Sequence, residues 1–197
     1  MTEWCFDSDL SNINFNCWRL LQEGVLSYKS PFHFAVFSSI EDQFPSSRTV
    51  IVRGVDTQDK IIRFNTDVRS PKFSQLASNP NVSWLFYDEG LRIQMRCKAV
   101  ASLHVNDPIA DLGWQEARLN CKITYMSPYA PGTYLEEPYL LDLNRSDIPD
   151  DELYAARKQF AIVQTKVLSL DWVFLHHKGN RRAFFDYEKN ILTWMQT

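Results

Sequence analysis

Two cysteines spaced as C-x-x-C never occur in this chain. Its four cysteines, Cys5, Cys17, Cys97 and Cys121, are scattered, which argues against a zinc ribbon and leaves four reduced, mostly buried thiols of a cytosolic protein as the expectation. The opening MTEWCFDSDL has neither a basic n-region nor an apolar h-region, so no secretory signal is expected and the cytoplasm is the expected compartment. No apolar run reaches the length of a membrane span. A basic excess is missing too: 21 Lys and Arg stand against 24 Asp and Glu, a net charge of −3, which excludes general nucleic-acid binding through phosphate neutralisation. Without a glycine-rich phosphate loop or a G-x-S-x-G elbow, P-loop and α/β-hydrolase chemistry fall away. There is no internal repeat and no low-complexity tract.

What is present is a hydrophobic fraction of 45%, enough for the core of one domain spanning 1–197. Aromatics reach 14%, which favours packed β structure. Leu10 to Gln22 carries Ile13, Cys17 and Leu21 at helical spacing, with Gly24 as a stop. Pro31 to Ile40 reads as a strand, 44–47 as a loop, and Arg48 to Val55 with Ile61 to Thr66 as a hairpin around a polar turn. Ser70-Pro71 starts a short helix, which Asn79-Pro80 ends. Val82 to Tyr87 and Leu91 to Val105 form a second hairpin. Asp107 to Asn120 and Asp150 to Gln164 read as helices, with an ordered loop over 127–138 between them. Lys166 to His177, Arg181 to Tyr187 and Ile191 to Gln196 close the chain as strands. Hairpins with few helices between them predict a mainly antiparallel α+β fold, its sheet closed into a small barrel that removes the edges.

The chemistry concentrates between Arg48 and Arg96. Arg48 and Arg53 flank the first strong strand, Asn65 and Thr66 end its partner, and Arg69-Ser70-Pro71-Lys72 opens a helix. Helix N-termini offer free backbone N–H groups and a positive dipole end. Hydroxyls at Thr66 and Ser70 and cations at Arg48, Arg69 and Lys72 suit a phosphate, which arginine can grip bidentately. Each piece alone is an ordinary solvated charge; their concentration around one hairpin and one helix start favours an anion site.

These same stretches, RTVIVRGVD, FNTDVRSPKFSQLASNP and WLFYDEGLRIQMRCKAVA, resemble the core of the pyridoxamine 5'-phosphate oxidase-like family, over residues 30 to 105 and more weakly in a C-terminal strand pair. The resemblance is to the short flavin-binding relatives rather than to the vitamin B6 enzyme itself. It implies a six-stranded antiparallel split barrel with flanking helices, non-covalent FMN, and a homodimer whose flavin sites lie at the subunit interface. Arg48 then matches the arginine at the flavin phosphate. Val50, Ile51, Val52 and Arg53 match the lining of the isoalloxazine, and Asn65 and Thr66 the second-strand contacts. Ser70 and Lys72 match the phosphate-binding helix start. Pro71 stands where the family enzyme has arginine, a charge that Arg69 replaces from two positions earlier. Gln94 matches the glutamine at the flavin ring.

The substrate end departs from the pattern. Trp114 and Arg118 keep the spacing of a tyrosine and an arginine that hold substrate phosphate, with the aromatic changed. Of the closing run only Arg181 matches; Ala183 and Phe185 stand where histidine and arginine are expected. Leu175, with Trp172 nearby, takes the place of a tryptophan. These departures predict little pyridoxamine phosphate oxidation. They leave an FMN-dependent oxidoreductase of unknown substrate as the leading reading, with Arg53, Trp114, Arg118 and Arg181 as substrate-side candidates. A flavin, haem or deazaflavin binding module and a divergent oxidase are the alternatives. His176-His177 is a conceivable metal or haem ligand pair, but such pairs are more often solvated. His33 and His104 read as structural. Asp150, Asp151 and Glu152 read as charges complementing a helix dipole, not as a catalytic cluster.

Overall fold

A computed structural model describes residues 3–197. Five helices flank nine strands: α1 (Leu10–Leu26), β1 (Phe34–Glu41), β2 (Phe44–Ile51), β3 (Gly54–Asp56), β4 (Ile61–Asp67), α2 (Pro71–Ser78), β5 (Asn81–Asp88), β6 (Ile93–His104), α3 (Pro108–Glu116), α4 (Leu119–Ile123), α5 (Asp150–Gln159), β7 (Phe160–Phe174), β8 (Arg181–Asp186) and β9 (Ile191–Met195). The strands form one antiparallel sheet in the order β2-β1-β5-β6-β7-β4-β3, with β8 on β7 and β9 on β8.

The long β7 organises this sheet. Its first half pairs with β4 and its second half with β8, while β6 runs along both. The change of partner coincides with a register shift between Lys98 and Ala99 of β6, opposite Ser169 and Val167. Leu168 is the extra residue, a bulge that bends the strand where the sheet divides. β2 and β3 lie at opposite ends of the ladder, yet only Val52 and Arg53 separate them in the chain. Two residues span under about 11 Å, so the sheet curls until its edges nearly meet. Among the described residues no ladder joins those edges. The expected antiparallel α+β fold with flanking helices is what the chain adopts; the expected closure into a barrel is corrected to an open, curled sheet, and six strands to nine.

Alternation along β5 buries Val82, Trp84 and Phe86. Trp84 packs its ring 4.9 Å from that of Phe37 and 5.7 Å from that of Phe64. Its indole N–H donates to Thr165 Oγ1 at 3.0 Å, and that hydroxyl donates to the Ile62 carbonyl. The Trp84 ring thus stays dry without an orphaned donor. The buried side of α1 joins the same core through Ile13, Cys17, Trp18 and Leu21, with Trp18 Nε1 donating to the Tyr187 hydroxyl at 2.8 Å.

Several boundaries move for physical reasons. α1 runs through Gly24 to Leu26 because that glycine serves close approach rather than termination: a Cβ there would lie 2.6 Å from the Phe32 carbonyl carbon and oxygen. The expected loop over 44–47 is strand, because Asp42 and Gln43 make the turn themselves at φ 46° and 72°. The expected helix over 107–120 breaks at Ala117, whose backbone is extended. The helix expected to reach Gln164 stops at Gln159, because Phe160, Ala161, Ile162 and Val163 are all buried and enter the sheet. His33 and His104 are structural as expected: His33 Nδ1 donates to the Gly24 carbonyl, and His104 Nδ1 lies 2.8 Å from Asp107 Oδ2. Cys5, Cys17 and Cys97 are buried free thiols, and Cys121 is half-buried. No helix among the described residues is long and apolar enough to cross a membrane.

Candidate functional site

The edge strand β2, the end of β4, the start of α2 and the short α4 enclose a cleft of about 450 Å³, lined by Arg48, Val50, Ile51, Asn65 and Lys72 among others. It adjoins a second compartment of about 280 Å³, which holds Arg118, Arg63, His33 and Tyr28. Arg53, Asn65 and Cys121 line both, so the two form one groove. Its charge is lopsided. Arg48, Arg53 and Lys72 line the first compartment, and no described carboxylate does. In the second, Glu116 is the one acid, and it is bonded to Arg63 at 2.9 Å.

Arg48 is positioned by neutral acceptors. Its guanidinium donates to Ser39 Oγ at 2.6 Å, Ser46 Oγ at 2.8 Å and Gln75 Oε1 at 3.0 Å. Ser39 in turn donates to Gln75 at 2.6 Å. Lys72 donates to Thr66 Oγ1 at 3.2 Å. Burial pushes its pKa below the usual 10.5, and the positive charge of Arg48 pushes it the same way. Burial also lowers the pKa of Arg48. Two half-buried cations thus share one wall, held by hydroxyls and an amide; Glu41 and Asp67 attract them only from beyond ion-pair distance, and no carboxylate lines the wall.

The other expected phosphate ligands stand elsewhere. Thr66 and Ser70 are buried behind Lys72, 3.2 Å from each other, and Ser70 donates to the Asp67 carbonyl instead of capping α2. Arg69 turns away to grip Asp67 at 2.7 Å and the Ser127 carbonyl at 2.9 Å. Val52 and Arg53 already donate their backbone N–H groups to the carbonyls of His33 and Arg63, which leaves Val50 and Ile51 as the exposed edge of the groove. Gln94 does not line the groove of its own chain. It lies on the outer face of β6, between Tyr87 of β5 and Val173 of β7.

At the far end the two members of the Trp114–Arg118 pair separate. The break at Ala117 makes Arg118 the cap of α4, inside the second compartment beside Arg53. Trp114 packs against Phe160 and Tyr125, with Lys122 over its ring. Arg181 donates to the Asp7 carbonyl at 2.7 Å and to that of Cys5, and stacks 4.5 Å over Trp194. Ala183 and Phe185 are fully buried; the strand aims both positions into the core. His176 and His177 lie with ring centroids 4.2 Å apart, and no group of three or more potential metal ligands gathers among the described residues.

Sequence reasoning missed the α4 wall and the partners of Arg48. Gln75 was within reach of it, since it follows Lys72 by three residues and shares a helix face. Cys121 and Tyr125 come from the stretch between the expected helix, which ended at Asn120, and the loop expected from 127, a stretch given no role. Arg53 Nη2 lies 3.6 Å from Cys121 Sγ. Burial raises the pKa of Tyr125, so its phenol stays neutral.

Residues 16–105 match the family model described as "Pyridoxamine 5'-phosphate oxidase, FMN-binding domain". The chain is 26% identical over 148 residues to pyridoxine/pyridoxamine 5'-phosphate oxidase 2 of Arabidopsis thaliana, covering 72% of this chain and 71% of the relative. Among solved structures it is similar to a pyridoxamine 5'-phosphate oxidase-related, FMN binding protein from Nostoc punctiforme. That pair has a TM-score of 0.74 and 18% identity over 92% of this chain and 96% of the other. It is also similar to PhzG from Burkholderia lata in complex with tetrahydrophenazine-1-carboxylic acid, with a TM-score of 0.67 and 13% identity over 99% and 96%. The matched segment carries Arg48, Arg53, Asn65, Lys72 and Gln94, and the likeness of fold extends over nearly the whole chain: residues 16–105 match a pyridoxamine 5'-phosphate oxidase FMN-binding domain, set in a sheet that shares the fold of these solved relatives.

Proposed function

We propose that the protein is a flavoprotein oxidoreductase, one domain that binds FMN in the groove with the phosphate at Arg48 and Lys72 and the ring along Val50–Arg53. One observation carries this reading: two half-buried cations share a wall without a carboxylate. A dianionic phosphate supplies the missing charge and accepts the donors that both side chains offer. When bound, the flavin supplies the redox chemistry. The chain's own residues hold and orient it: Ser39, Ser46 and Gln75 fix Arg48, Thr66 fixes Lys72, and Asn65 and Arg53 border the ring's expected place. Titration of the purified protein with FMN, followed by absorbance and calorimetry, should give one flavin per chain. Absence of flavin binding, or a Soret band in its place, overturns the reading.

Arg53 and Arg118 face the second compartment beyond the flavin's expected place, which suits an anionic substrate. Pyridoxamine phosphate itself fits poorly. Ala183 and Phe185 are committed to the core and Arg182 to Asp171 at 2.8 Å, so the closing run offers no further cation to a substrate. The FMN-loaded protein should release little hydrogen peroxide from pyridoxamine phosphate, and robust turnover refutes this.

The active unit in this reading is a cytoplasmic homodimer. The outer face of the sheet leaves Phe34, Val36, Leu85 and Tyr87 each more than a third exposed, around Gln94. Strands that carry apolar residues on both faces need cover on both. A second copy supplies that cover, and through it Gln94 of the partner subunit reaches the flavin. Light scattering should give twice the 23.0 kDa of one chain. A monomer that binds FMN tightly removes Gln94 from the site.

A further inference from the structure

Between α4 and α5 the chain runs through residues 127–149 without a helix or strand. Structureless loops of this length are uncommon in compact domains and usually serve as lids or binding loops. This one is tied to the groove at several points. At its start the Ser127 carbonyl accepts from Arg69, which is itself held by Asp67 in the turn before α2. Gly132, at φ +90°, passes over Pro71 at the first position of that helix, where a Cβ would lie 3.5 Å from the proline ring. Leu143 lines the groove in the same compartment as Arg48 and Lys72. At its end Arg145 forms a two-point ion pair with Glu152 of α5, at 2.7 and 2.8 Å.

The loop between these ties has little of its own to hold it. Tyr129 and Tyr139 meet edge to face at 5.3 Å, while Tyr134 is fully exposed and Leu140 86% exposed. Few buried contacts and an exposed backbone mark the segments that open at low cost. The anchors are of different strength. The Arg69–Asp67 pair is largely buried, whereas both partners of Arg145–Glu152 are more than a third exposed, and exposed pairs hold weakly.

We propose that 127–149 is a strap that closes over the phosphate end of the bound flavin, with Leu143 as the side chain that seals it. It pivots at Arg69–Ser127 and is released at Arg145–Glu152. This rests on the FMN reading above. The phosphate brings its charge to Arg48 and Lys72, the strap covers it, and escape of the cofactor waits for the strap to lift, as with other loops that gate release. Leu143 adds an apolar cover and no charge, so it acts on how long FMN stays more than on how the phosphate is recognised.

The test follows amide hydrogen exchange over 127–149 with and without FMN, together with FMN release measured by dilution and by fluorescence recovery. The chains compared are the wild type, Leu143→Ser, Arg145→Ala and the control Tyr134→Ser. FMN should slow exchange across the strap in the wild type. Leu143→Ser and Arg145→Ala should release FMN at least about fivefold faster and lose that protection, while Tyr134→Ser should match the wild type. All three positions are more than a third exposed, so the fold should survive each change. Tight FMN binding with unaltered exchange, or release from both strap variants within twofold of wild type, overturns the strap and leaves the cofactor reading standing. Failure of the wild type to bind FMN overturns both.

Discussion

Replacing Lys72 with methionine should separate cofactor grip from fold stability, because in the proposed FMN site the same ammonium serves one and opposes the other. In the groove Lys72 lies close enough to Arg48 for like-charge repulsion, and burial has already weakened its hydration. Methionine keeps the length and apolar stem of lysine and removes the charge. The Thr66 hydroxyl, which accepts from Lys72, keeps Ser70 as a partner at 3.2 Å, so no buried group is orphaned. A charge-assisted hydrogen bond to phosphate contributes about 1.5–3 kcal/mol, which converts to a Kd for FMN raised about 10- to 150-fold. Without FMN the same change relieves a repulsion between partly exposed charges of roughly 1 kcal/mol at most. For a chain of this size that holds the melting temperature or raises it by up to about 4 °C. Scanning fluorimetry of the apoprotein, paired with calorimetric FMN titration, reads both quantities. An FMN affinity within twofold of wild type refutes the phosphate placement. An apoprotein that melts several degrees lower refutes the account of a cation held without an ion-pair partner.

The pH dependence should carry the same signature. Because the folded pKa of Lys72 is depressed, its favourable contribution is complete above the unfolded value near 10.5 and is lost as pH falls through the folded value; wild-type apoprotein should therefore gain stability over Lys72→Met across the pH range just below 10.5, and parallel curves count against it. Leu85→Lys, on the outer sheet face beside Arg96, should convert the proposed dimer to monomer in light scattering with the fold retained by circular dichroism; an intact dimer shows that this face is not the interface. Gly24→Ala should cost roughly 1–3 kcal/mol in urea unfolding, because the new methyl meets the Phe32 backbone at 2.6 Å and rigid overpacking costs that much; an unchanged midpoint means that α1 and the Pro31–His33 turn can slide apart.

The hairpins and the helix start at Ser70-Pro71 were readable because local chemistry alone decides them: alternation, polar turns and a fixed proline φ. The sheet's breadth was not, since its organiser, β7, begins in a run of four buried residues that single-sequence periodicity assigns as readily to a helix as to a strand. The turn at Asp42-Gln43 hid for a related reason. It needs two positive φ angles, and the usual Asn-Gly signal is absent. At the site, Arg48 and Lys72 could be named from the concentration of charge around one helix start. Of their holders, Ser46 lies two residues before Arg48 on the same strand and Gln75 one helical turn after Lys72, but Ser39 comes into range only when β1 pairs with β2. Arg69 misled for a local reason. A carboxylate two residues earlier, Asp67, competes for the same guanidinium and wins it.

The three departures from self-sufficiency in this fold converge on one place. β2 is an edge strand, and edges are ordinarily covered or blunted. Arg48 and Lys72 are half-buried with no carboxylate in ion-pair contact, an arrangement that burial ordinarily disfavours. The chain from 127 to 149 is long, irregular and apolar-tipped, where connections are ordinarily short. Strand edge, cation pair and loop all border the same groove, through Val50 and Ile51, through the two side chains themselves and through Leu143. Each is a cost to the isolated chain that one ligand would lift. An anionic, flat and partly apolar molecule lying along β2 would cover the edge, neutralise the pair and give the loop something to close on. Local rules of folding tend to be broken where binding restores them. Two of the three, the β2 edge and the cation pair, lie inside the segment that matches an FMN-binding domain, and the third reaches them through Leu143, so the proposed cofactor site is where the isolated chain is least satisfied.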